Sequence, residues 1–216
     1  MLDAIKYRLL KLGKPKEYQD YLNVQRTRSK SKYEQATTNS LEIERKEYLV
    51  NLLASLTNLK KASKALVIGC RNAYELDLLE KYGVDTVIGI DLYSHDPRIK
   101  VMDMMDLKFE DNSFDLIYCS HALEHALDVQ KVTTEIIRVA KNEANVLIEV
   151  PINYQVRGAD LHDLKSFEKI HEVFQQNQGL INLSLIYGKN ISAETKGNVL
   201  RTDVARIILT IQKGKV

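Results

Sequence analysis

The chain has 216 residues, 44% hydrophobic and 28% charged, with only 9 Gly and 3 Pro, a composition that excludes a mainly disordered or collagen-like protein and allows one sizeable domain, or one domain with an appendage. No stretch approaches the roughly 18 apolar residues of a spanning helix, and two cysteines, Cys70 and Cys119, make neither a disulfide framework nor a zinc site by themselves. The net charge of +2 hides an asymmetry: residues 1–61 carry 13 Lys+Arg against 7 Asp+Glu, a basic head on a mildly acidic body.

The opening MLDAIKYRLLKLGK mixes Lys and Arg with Leu throughout and has no signal-peptide core, so a reduced, cytoplasmic protein is expected. Leu2, Ile5, Leu9 and Leu12 recur at helical spacing with Lys6, Arg8 and Lys11 between them, until Gly13 and Pro15 stop the helix. Residues 17–36 read as a helix with a weak stripe. Ser40 then offers an N-cap to a helix that carries Leu41, Tyr48, Leu49, Leu52, Leu53 and Leu56. These helices are expected to form a basic extension over residues 1–61.

From residue 62 the texture changes. KALVIGC (64–70), DTVIGID (85–91), a short strand at 97–101, SFDLIYC (113–119) and ANVLIEV (144–150) read as strands, the last stopped by Pro151. Helices are expected at 73–82, 127–141 and 165–177, and two late apolar runs, 180–187 and 203–212, pair most easily as a hairpin. Strand–helix alternation implies a parallel, doubly wound sheet with right-handed crossovers.

In such a sheet, ligands lie beyond the carboxyl ends of the strands. Gly69 ends the first strand, where backbone must approach a ligand closely. Asp91 ends the second, placed to accept two hydrogen bonds from a ribose diol. Asp103 and Met104 offer an acceptor and a soft apolar face to a planar base. Ser120 and His121 stand at the fourth strand tip, with Glu124 and His125 one helical turn on.

These phrases together (VIGC, GID, DLKFEDNSFDLIYCSHALEH and VLIEVP) resemble a small, single-domain class I S-adenosylmethionine-dependent methyltransferase over residues 64–150. The resemblance implies a mostly parallel seven-stranded sheet with a reversed terminal hairpin, and S-adenosylmethionine as cofactor. It implies a cofactor site of Gly69, Cys70, Arg71, Glu75, Asp91, Leu92, Asp103, Met104 and Ser120, with His121 or His125 as the catalytic base and no metal. The first motif departs from the family pattern: Val67 stands where an acid is usual, and Arg71 and Ala73 replace glycines. Glu75 is then expected to meet the methionine amino group and Arg71 its carboxylate.

The resemblance implies methyl transfer to a small molecule or sugar by direct displacement. Two other functions compete: an RNA or protein methyltransferase using the basic head, and a catalytically silent scaffold with an eroded glycine motif. The partner expected is a small-molecule or glycan substrate rather than nucleic acid, with homodimer formation left open. The helix at 2–12 is expected to close over the pocket, in preference to lying on an anionic membrane.

Overall fold

The computed structural model describes residues 2–35, 40–177, 179–191 and 203–214. Three helices come first: α1 (Leu2–Lys11), α2 (Lys16–Gln35) and α3 (Ser40–Leu56). The side chains of Leu2, Ser40 and Leu41, read above as stripe and cap, lie outside the described ones. The strands are β1 (Lys64–Ile68), β2 (Thr86–Asp91), β3 (Ile99–Val101), β4 (Phe114–Ser120), β5 (Ala140–Ile152), β6 (Ile181–Ile191) and β7 (Asp203–Lys213). Helices α4 (Tyr74–Lys81), α5 (Val129–Val139) and α6 (Phe167–Gln175) connect them.

The sheet order is β3-β2-β1-β4-β5-β7-β6. Pairings from β3 to β5 are parallel, and β7 runs antiparallel to both β5 and β6, the reversed hairpin expected. Both faces are covered, so alternate residues of one strand enter two different cores. Leu66, Ile68, Ile117, Cys119, Val146 and Ile148 pack with Val132 and Ile136 of α5 and Phe174 of α6. On the other face Ala65, Val67, Leu116 and Leu147 pack with Leu49, Val50 and Leu53 of α3 and Leu76 and Leu79 of α4. The last helix of the basic head is therefore part of the sheet's packing.

Two sequence boundaries move. Pro151 does not stop β5; it pairs with Val204 and the strand continues to Ile152. Pairing with β4 has already ended at Glu149, so the N–H that proline lacks is not needed there. Helix α5 ends at Val139 and β5 begins at once, with a register shift between Phe114 and Leu116 absorbing the extra residues.

Gly69 leaves β1 with φ +74, and a Cβ there would lie 2.6 Å from the Ala122 Cβ. Left-handed backbone and overpacking each penalise a side chain at this turn. Gly69→Ala is expected to cost about 2–4 kcal/mol, lowering the melting temperature by roughly 5–15 °C for a chain of this size, read by differential scanning calorimetry.

Candidate active site

The strand order reverses between β1 and β4, and the crevice opens at their carboxyl ends. A pocket there is lined by Ile68, Gly69 and Arg71 after β1, by Ile90, Asp91 and Leu92 at β2, and by Met102, Asp103 and Met104 after β3. His121, Ala122 and His125 line it beyond β4. Arg71 and His121 both hold positive φ, +52 and +51. Such strain persists only where the surroundings impose it, and it clusters at functional sites.

Asp91 is nearly buried, and its carboxylate accepts from three backbone amides: Arg71 N at 2.9 Å, Leu92 N at 2.7 Å and Tyr93 N at 3.3 Å. One acid thus ties the β1 turn to the β2 tip. Asp103 accepts from Met105 N at 2.9 Å. Each acid also accepts from a further donor.

That donor comes from α2. Ser29 donates to Asp91, and Tyr18 donates to Asp103 at 2.5 Å. Burial, followed by this bond to Asp103, pushes the Tyr18 phenol well above its ordinary value. Arg26 donates to Leu92 O, and Gln25 to Ala159 O at 2.7 Å. Tyr21, Gln25, Arg28 and Ser29 complete the pocket wall. The cover over the pocket is therefore α2, not the helix at 2–12: among the described residues, α1 contributes none to the lining.

Two histidine clusters stand at the far end. His121 places Nε2 3.4 Å from Glu149 and Nδ1 3.8 Å from Glu124. Glu149 is fully buried and also bound by Arg206, whose Nε donates at 2.8 Å, with the Arg45 guanidinium 3.6 Å away. Burial alone would raise the Glu149 carboxyl; the neighbouring His121, Arg206 and Arg45 bring it down to about 2. His125 places Nδ1 3.0 Å from Asp160, which Arg28 also binds. Burial again opposes these partners, and they hold Asp160 at about 2.

Both carboxylates have depressed folded-state values, so their stabilisation is present above the ordinary carboxylate range and is lost as pH falls. Thermal stability is expected to drop between about pH 4.5 and pH 2. The drop should be shallower in Asp160→Asn, as melting curves against pH will show.

Of the residues expected at the cofactor site, Gly69, Arg71, Asp91, Leu92, Asp103 and Met104 line the pocket, and so do His121 and His125. Cys70, Glu75 and Ser120 do not. Cys70 is buried in the α3–α4 core, its thiol pushed up by burial. Glu75 is buried and paired with Lys46 of α3 at 3.0 Å, because the start of α4 faces α3 rather than the crevice. Ser120 points to Glu149 at 3.4 Å. Arg71 directs its guanidinium toward Glu42, 3.7 Å away. Sequence reasoning missed Tyr18, Tyr21, Gln25, Arg28 and Ser29. Their spacing of three and four residues was the available signal, but the face mixes aromatic and polar side chains and so carries no apolar stripe.

Residues 66–148 match the family model of the methyltransferase domain. No curated protein matches the chain in sequence. Among solved structures, the fold is similar to the 1,6-didemethyltoxoflavin-N1-methyltransferase of Burkholderia thailandensis, solved with S-adenosylhomocysteine, at TM-score 0.66 and 14% identity over 94% of this chain and 92% of that one. It is similar to an S-adenosylmethionine-dependent methyltransferase of Aquifex aeolicus at TM-score 0.57 and 18% identity, covering 84% and 97%. It is also similar to the cyclase SpnF, at TM-score 0.61 and 15% identity, covering 78% and 81%.

The lining suits the cofactor in kind. The pocket wall holds two carboxylates, Asp91 and Asp103, which can accept from sugar hydroxyls or an amino group, beside the apolar Leu92, Met102 and Met104. The space is small, about 80 Å³, against the 300 Å³ or more of most ligand pockets. The helix that bonds to both acids narrows the space in front of them. Residues 66–148 thus match a methyltransferase domain, and the strand order and reversed hairpin agree with the fold of the S-adenosylmethionine-dependent methyltransferases that the chain is similar to.

Proposed function

We propose that the chain methylates a hydroxyl of a small molecule or glycan, with His121 as the proton acceptor. The observation that carries this reading is the buried Glu149 carboxylate beside Nε2 of a histidine in the pocket wall. A carboxylate 3.4 Å from Nε2 favours the proton on that nitrogen, which leaves Nδ1 to take a proton. The Glu149 and Glu124 carboxylates then balance the charge on the ring.

Bound S-adenosylmethionine supplies a methyl on a sulfonium, already a good leaving group. The chain's own residues contribute alignment and a proton acceptor. Asp91 and Asp103 hold the nucleoside, and Arg28, His125 and Asp160 form the polar wall against which an acceptor hydroxyl is oriented. The acceptor hydroxyl gives its proton to Nδ1 as its oxygen takes the methyl. A nucleic-acid acceptor fits less well, because residues 62–216 carry 18 Lys+Arg against 22 Asp+Glu.

The test is release of S-adenosylhomocysteine from S-adenosylmethionine in the presence of a panel of sugars and hydroxylated small molecules. Release with one acceptor class, lost on substitution of His121, supports the reading. Tight cofactor binding with no release from any acceptor favours a silent binding module. That second reading draws on one observation: Ser29 and Tyr18 already occupy the two acids.

A further inference from the structure

The helix at 2–12 has one side already committed. Tyr7 of α1 is buried, donates to Asn23 of α2 at 3.1 Å, and lies under the Arg26 guanidinium at 4.2 Å. Lys11 donates to the same Asn23 oxygen at 3.1 Å. At about 100° per residue, Ile5 and Leu9 lie close together on the side opposite Tyr7, and Leu12 follows in the turn that ends the helix. These three apolar side chains face solvent, with exposures of 51%, 63% and 78%. The amphipathic pattern is thus turned outward: the aromatic side chain packs inward and the aliphatic ridge is left bare.

Charge surrounds that ridge. Lys6 and Arg8 are exposed and flank it on either side, and residues 1–35 hold 9 Lys+Arg against 4 Asp+Glu. Lys14 and Lys16 are engaged elsewhere, with Asp106 and Asp20. We propose that α1 docks the protein onto an anionic lipid surface, with Ile5, Leu9 and Leu12 entering the headgroup–acyl boundary and Lys6 and Arg8 meeting lipid phosphates. An aliphatic ridge flanked by cations is what such a surface accepts without a shaped pocket. A second copy of this chain is a poorer occupant, because isologous pairing of the ridges would set Lys6 and Arg8 against their own counterparts. The ridge also has no aromatic anchor of the kind that dominates protein interfaces.

The proposal stands apart from the identity of the acceptor. It does place the lipid beside the pocket's cover, since Asn23 joins α1 to the helix that carries Ser29 and Tyr18.

The test is sedimentation of the full chain with vesicles of phosphatidylcholine alone and of phosphatidylcholine with an equal part of phosphatidylglycerol. Two flanking cations are expected to raise binding about thirtyfold on the anionic vesicles. Ile5→Gln with Leu9→Gln should reduce that binding at least tenfold without changing the melting temperature, as both residues are exposed. Lys6→Gln with Arg8→Gln should abolish the preference for anionic lipid. No binding to either vesicle, or equal binding to both, overturns the proposal. So does a dimer in sedimentation velocity that the Ile5/Leu9 variant dissolves, which would assign the ridge to self-association.

Discussion

Asp91→Ala is expected to weaken S-adenosylhomocysteine binding at least a hundredfold by isothermal calorimetry. A hydrogen bond to a charged acceptor contributes about 1.5–3 kcal/mol, and a ribose diol gives two. The carboxylate also organises the site, holding Arg71 N and Leu92 N in one grip, so its removal loosens the Gly69 turn as well. Ser29→Ala provides the opposing measurement. Its hydroxyl bonds to the same carboxylate, and a bound diol must displace it. Removing it should tighten binding by about tenfold, the equivalent of one such bond. Loss in the first variant and gain in the second would establish that cofactor and helix compete for one acid. Unchanged binding in both would place the nucleoside elsewhere.

His121→Asn is expected to lower kcat by about 10² to 10⁴ for a hydroxyl acceptor, the usual contribution of a positioned base. Asparagine is the chosen replacement because it tolerates the positive φ of this position, so the backbone and the His121 N–H bond to Glu149 O at 2.8 Å are retained. S-adenosylhomocysteine affinity should change little, which separates a lost base from a collapsed pocket. A variant with wild-type kcat would move the role of base to His125, whose Nδ1 is held by Asp160.

The sheet was legible because each strand is an apolar run closed by a turn residue, and a run buried on both faces needs no alternation. That Gly69, Asp91 and Asp103 line the pocket was legible for a related reason: strand tips at the switch point of a parallel sheet border its crevice. What was not legible came from the third dimension. Glu75 looked available at the start of α4, but that helix turns its first residues toward Lys46 of α3. Cys70, next to Gly69, points into the α3–α4 core. Glu149 and Arg206 come from strands far apart in sequence, and only the reversed pairing of β5 with β7 sets them opposite one another. The wall formed by α2 was missed because its inward face is built from hydrogen-bonding groups, which periodicity of hydrophobic residues does not register.

The bonds from Ser29 to Asp91 and Tyr18 to Asp103 have a kinetic consequence. Under the proposed reading, a nucleoside reaches Asp91 and Asp103 only in the fraction of molecules whose α2 has released them. Measured affinity is then the intrinsic affinity scaled by that fraction. The rate of association levels off at high ligand concentration, at the opening rate of the helix, instead of rising without limit. Under the same reading, turnover inherits this ceiling if product leaves by the same route, and α2, which lies outside the matched residues 66–148, sets the pace.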